Sequence, residues 1–189
     1  MNISKEASEN VNPKKFSLWL FLIAIIMLFA GFTSAYIVRI KEGNWLEFEL
    51  PEIFLYSSIT ILISSLTMIW AYRAAKNDEI KSVQFGLLAT FFLGILFLSQ
   101  QLMGFGELIS RGLHFVQKGD KISASFFYVI AGVHWLHLLG GLLVLLVLLV
   151  RSLRSEIHKK NLLSINMLNT YWHFIGILWV YLYLFLYFA

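Results

Sequence analysis

The chain alternates long apolar runs with short polar connections. Five runs, at about 16–38, 51–72, 83–105, 125–150 and 162–188, reach the ~20 mostly apolar residues that a spanning helix needs. Apart from their flanks they contain no Asp, Glu, Lys or Arg. In hydrocarbon every backbone N–H and C=O must be satisfied within the segment, so such runs form helices. The pattern predicts an all-α membrane protein, a bundle of five transmembrane helices forming a single domain over residues 16–189. Residues 1–15, MNISKEASENVNPKK, are expected to be a short, mobile cytosolic tail. The first run is longer than a signal-peptide core of ~7–15 residues, and no small-residue cleavage site closes it.

Composition agrees with the pattern. Hydrophobic residues make up 59% of the 189 and aromatics 16%, whereas soluble domains are only about 45–50% apolar. The short connections leave no room for a soluble domain. Cysteine is absent, which excludes disulfides, covalent c-type haem, iron–sulfur clusters and thiolate-bound copper.

The net charge of +4 is informative by position. Positive residues cluster in the tail (Lys5, Lys14, Lys15), the second connection (Arg73, Lys76, Lys81) and the fourth (Arg151, Arg154, Lys159, Lys160). Fewer occupy the other side: Arg39, Lys41, Arg111, Lys118 and Lys121. Positive residues collect on the cytosolic side. The predicted topology has the N terminus cytosolic and the C terminus outside, periplasmic, with the acidic stretch KEGNWLEFELPE also outside. No nucleic-acid partner is implied.

Polar side chains within the apolar runs carry the remaining information. The second run has Thr60, Ser64 and Thr67 at helical spacing, a stripe that reads as a helix-packing face. Gln100 and Gln101 lie deep enough to need partners, and Glu107 with Arg111 has the order of a helical ion pair. Both prolines, Pro13 and Pro51, precede helix starts.

The fourth run, AGVHWLHLLGGLLVLLVLLV, places His134, His137 and Gly141 on one helical face. Leu136, Leu139, Leu143 and Val147 lie on the opposite face, the natural lipid contact. Gly132, Gly140 and Gly141 would admit a neighbouring backbone. In the fifth run His173 follows Trp172, about 18 Å from the cytosolic end, while His137 is about 21 Å from the same side. Adjacent antiparallel helices would therefore bring these two histidines to similar depth. Neutral histidines bridge helices through their ring nitrogens; on that reading His134, His137, His173, Gln101 and Trp172 are interhelical polar fasteners. The alternative is a small b-type cytochrome with His137 and His173 as haem ligands. His-x-x-His without a third spaced ligand is a weak metal signal. A transporter is disfavoured, since no intramembrane acid or arginine supports an ion path and no broken-helix repeat is evident. Arg151 and Arg154 are candidates for a lipid headgroup, since guanidinium forks match phosphate, beside their ordinary role in setting topology.

The order of these elements resembles the five-helix form of cytochrome c oxidase subunit III, from Trp19 to the C terminus. The resemblance rests on LWLFLIAIIMLFAGFTSAYIV, on ILISSLT followed by Ala-x-Arg-Ala at 71–74, and on Gln101. It continues through SASFFYVIAGVHWLHLLGG and the terminal YWHFIGILWVYLYLFLYF. Two positions depart from it: Ile25 and Gly176 stand where the family commonly carries acids. Seven-helix members have two further, earlier helices that form a lipid-filled cleft, and the match is to the form without them.

The resemblance implies an accessory subunit of an aerobic respiratory haem–copper oxidase in the inner, cytoplasmic membrane. It would have no catalytic residue, metal or cofactor on this chain, with haem and copper on partner subunits. It would pack on subunit I, assemble with subunit II and the other respiratory-complex subunits, bind phospholipid and support proton uptake during oxygen reduction. Arg151 matches a lipid-phosphate arginine of the family. Cytochrome c is the expected donor, and a quinol oxidase is the alternative.

Overall fold

A computed structural model describes residues 12–41, 49–115, 122–154 and 162–188. It contains five helices: α1 Pro13–Ile40, α2 Ile53–Lys76, α3 Ile80–Ser110, α4 Ile122–Leu153 and α5 Leu163–Phe188. All five are long and apolar enough to cross a membrane, and no strand occurs among the described residues. Most of the tail, most of the acidic stretch after α1, and Lys118, Lys121, Lys159 and Lys160 lie outside the described residues.

Each helix occupies its apolar run and most extend beyond it. The apolar stretch marks hydrocarbon depth, whereas the backbone stays helical until something ends it. Long basic side chains at the ends reach toward the interface while their stems remain on apolar surface. α1 starts before its run because Asn12 caps it, its side-chain oxygen accepting from the Lys14 N–H at 3.1 Å. Pro13 therefore lies in the first turn rather than before it, where its missing N–H costs nothing. α3 continues to Ser110, so Glu107 and Arg111 form their ion pair (2.6 Å) on the helix end.

α2, α3, α4 and α5 form a four-helix ring in which each packs on the next and α5 closes back on α2. α1 stands outside the ring, against α4 and α5. The pairings fix relative direction. Along α1, Phe21 meets Tyr171 and Tyr36 meets Phe185, so α1 and α5 run parallel. Phe29 meets His134 and Tyr36 meets Phe126, so α1 and α4 run antiparallel.

The closest pair is α2 and α3. Asp78 takes a left-handed φ of 58° in the tight turn between them, a conformation that Asp tolerates better than most residues. Gly86 then sits directly on Ala71: a Cβ there would lie 2.7 Å from Ala71 Cβ and 3.0 Å from its Cα. In lipid, helices gain from packing rather than from hydrophobic expulsion, so such small-residue contacts hold bundles together.

Candidate functional site

Polar side chains collect inside the ring because each has an apolar helix face to escape and a neighbouring helix to bond. Gln101 of α3, buried, donates from Nε2 to Ser57 Oγ of α2 at 2.8 Å. Trp172 and Trp179 of α5 donate from Nε1 to Ser64 Oγ and Ser58 Oγ of α2, each at 3.0 Å. Thr67 bonds Thr90 of α3 at 2.8 Å. Thr60 bonds the Tyr56 carbonyl of its own helix, so the stripe on α2 divides between self-satisfied and interhelical hydroxyls.

The histidines behave differently from the glutamine and tryptophans. His134 is wholly buried, and neither ring nitrogen has a hydrogen-bond partner. Its ring lies in an aromatic box, 5.1 Å from Trp179, 6.1 Å from Phe97 and 6.3 Å from Phe29, centroid to centroid. His137, half-buried, bonds through Nδ1 to the Val133 carbonyl one turn back on its own helix at 2.8 Å. Its ring faces Phe29 and Phe21 of α1 at 5.9 and 6.4 Å. The neighbour that the His137 ring meets is thus α1.

The depth match between α4 and α5 exists, but it is made by Tyr171, whose hydroxyl donates to the His137 carbonyl at 2.8 Å. His173 is two residues on, about 200° around the helix, on the flank away from α4. The two rings share no ring contact or hydrogen bond. The His137 ring faces α1 and His173 lies on another flank of α5, so the two do not face each other as the paired-histidine alternative expects. Among the described residues no group of three His, Cys, Asp or Glu stands together to hold a metal.

The glycine expectation also divides. A Cβ on Gly141 would lie 2.7 Å from the Tyr171 ring, whereas Gly132 and Gly140 face open space. Leu136, Leu143 and Val147 are exposed as a lipid face requires, while Leu139 is partly buried. Ile25 is buried in the apolar core, and the Cα of Gly176 packs toward Ser65 and Ile61 of α2.

The open space at Gly140 belongs to a cleft of about 550 Å³ between α1, α4 and α5. Its walls are apolar, with Leu18, Phe21, Val144 and Leu168 among them, and Tyr171 and Gly141 line it as well. Lys14, Arg151 and Ser164 line the part nearest the helix termini. Arg154 is exposed and is not among the lining residues. By sequence alone Lys14 is only a tail charge. The signal that could have found it is its place in the first turn of a helix parallel to α5.

A ring of apolar helices with interhelical Gln, Ser and Trp bonds, flanked by a fifth helix and an apolar cleft, defines a helical-bundle integral membrane protein. The family model for cytochrome c oxidase subunit III matches residues 10–189. The chain is 31% identical over 170 residues to cytochrome c oxidase subunit 3 of Bacillus sp. (strain PS3), covering 87% of this chain and 80% of that one. It is 30% identical over 181 residues to cytochrome bo(3) ubiquinol oxidase subunit 3 of Buchnera aphidicola subsp. Schizaphis graminum, covering 93% and 94%. The corresponding subunit of Pseudomonas aeruginosa is 32% identical over 177 residues, covering 87% and 79%. The chain belongs to the cytochrome c oxidase subunit III family, and the relatives it matches are named as subunits of oxidases.

Proposed function

We propose that the chain is the non-catalytic subunit III of an aerobic respiratory haem–copper oxidase in the cytoplasmic membrane. In this reading its N terminus is cytosolic and its C terminus outside. It packs on subunit I, where haem and copper reside, and assembles with subunit II and other subunits of the respiratory complex. It holds phospholipid and supports proton uptake during oxygen reduction. With Ile25 and Gly176 at the two acid positions, that support comes from packing and lipid rather than from an internal carboxylate of this chain. Cytochrome c is the donor in the leading reading. A quinol-oxidising complex is the second, favoured by the bo(3) relatives.

The observation that supports the lipid role is the cleft, which has apolar walls and has Lys14 and Arg151 in its lining. A basic residue near an anionic headgroup contributes about 1 kcal/mol. Replacing both by alanine is therefore expected to weaken retention of the lipid about 30-fold. Gly140→Leu should expel the acyl chain with both charges intact, because nothing stands within 4 Å of the position its Cβ would take. Phospholipid per haem in the purified oxidase, measured by mass spectrometry, is expected to fall in both variants, together with a faster decline of activity during turnover. Unchanged lipid content in both would overturn the lipid role.

A further inference from the structure

The described residues include three half-buried side chains that carry an enclosed polar atom with no hydrogen-bond partner: Gln100, Asn169 and His173. Two of them stand one turn apart on α5. Asn169 has its Oδ1 enclosed and unpaired, and His173 its Nε2. Each side chain also has a second polar end, and each residue is partly open at the outer surface of the bundle. These second ends, Asn169 Nδ2 and His173 Nδ1, make no hydrogen bond with a described residue and are the atoms that a group arriving from outside would meet.

Their depth makes this unusual. His173 is ten residues from the start of α5 at Leu163, about 15 Å along a helix whose far end is ~22 Å further on. Acyl chains offer no hydrogen bond at that level. The flank is also distinct from the lipid cleft: Tyr171, which lines the cleft, points about 200° away from His173. Ser65 of α2 extends the polar edge. It packs on Gly176, its Oγ 3.2 Å from the place of a Cβ there, and makes no hydrogen bond with a described residue. Ser57, Ser58, Thr60 and Thr67 on the same helix each bond a carbonyl of that helix.

We infer that the α5 flank carrying Asn169 and His173, with Ser65 at its edge, docks a transmembrane helix of another oxidase subunit through hydrogen bonds at mid-membrane depth. This rests on the chain being an oxidase subunit. The occupant is a helix that presents a hydroxyl or amide side chain, because such a group can donate and accept at once and crosses the bilayer without a charge. Hydrogen bonds between helices in lipid hold the partner in register.

Two experiments on the intact complex test it. A photoreactive benzoylphenylalanine at Ile177, exposed and one turn beyond His173, is compared with one at Leu143 on the lipid face of α4. The inference expects a protein adduct with a large oxidase subunit from Ile177 and only lipid adducts from Leu143. Lipid adducts alone from Ile177 would overturn it. In the second experiment, Asn169→Leu with His173→Leu keeps the helix apolar and removes the bonds. Retention of the chain in the solubilised complex is expected to fall roughly eightfold, for two interhelical bonds of ordinary membrane strength. Full retention would also overturn it. A wild-type chain that purifies without any haem-bearing subunit would instead defeat the proposed function, a result separable from either.

Discussion

Replacing Gly86 by leucine is expected to prevent α2 and α3 from packing and to abolish accumulation of the folded chain. The first added atom already meets Ala71: its Cβ at 2.7 Å, its Cα at 3.0 Å and its N at 3.1 Å. Backbone cannot swing aside as a long side chain can, so the helices must separate. Separation breaks the Thr67–Thr90 bond and the Gln101–Ser57 bond along the same interface. Overpacking in a dense core typically costs about 1–3 kcal/mol, and a backbone clash at the closest helix pair belongs at or above the top of that range. Gly31→Ala supplies the control. Nothing lies within 4 Å of its Cβ position, so that replacement should stabilise α1 by about 0.5–1 kcal/mol through helix propensity. Membrane yield and monodispersity by size-exclusion chromatography measure both; equal behaviour of the two variants would contradict the packing argument.

Trp179→Ala is the second large effect. Trp179 is almost fully buried and touches three other helices: Ser58 and Phe54 on α2, Phe97 on α3 and His134 on α4. Removing a buried tryptophan costs about 3–5 kcal/mol, which for a chain of this size lowers the apparent Tm by roughly 10 °C. The expected order is informative. Ser58→Ala removes the indole bond, worth about 0.6 kcal/mol between membrane helices, together with the local bond of Ser58 to the Phe54 carbonyl, and Trp179→Phe falls between the two. Heating the purified complex and measuring the fraction of the chain that stays associated tests the series. If Ser58→Ala proved as damaging as Trp179→Ala, the indole bond rather than the aromatic volume would hold the centre.

The five spans were legible because hydrocarbon imposes length and apolarity on any helix that crosses it. Their ends were not, since capping by Asn12 and the persistence of α3 to Ser110 are local events that hydropathy does not report. The inward face of α4 followed from helical periodicity, and His134 lies at its centre. Its neighbours did not follow: periodicity identifies a face but not the helix opposite, and the partner of the His137 ring is α1, which stands outside the ring. The depth estimate found the correct level on α5 and the wrong residue, because rise along an axis carries no information about rotation around it. Gly140 and Gly141 are adjacent in sequence yet one opens on a cleft and the other on Tyr171, a difference that only tertiary packing decides. Lys14 joined Arg151 for the same reason, their elements being far apart in the chain.

The central claim is that this chain works as a supporting subunit within a haem-bearing oxidase. An affinity tag on this chain, purification from native membranes in mild detergent, and a reduced-minus-oxidised visible spectrum of the product test it most directly. The account predicts haem bands that belong to a co-purifying large subunit and vanish when this chain is separated from it. A chain that purifies alone, or a Soret band that stays with the separated chain and disappears in His173→Ala, would contradict it.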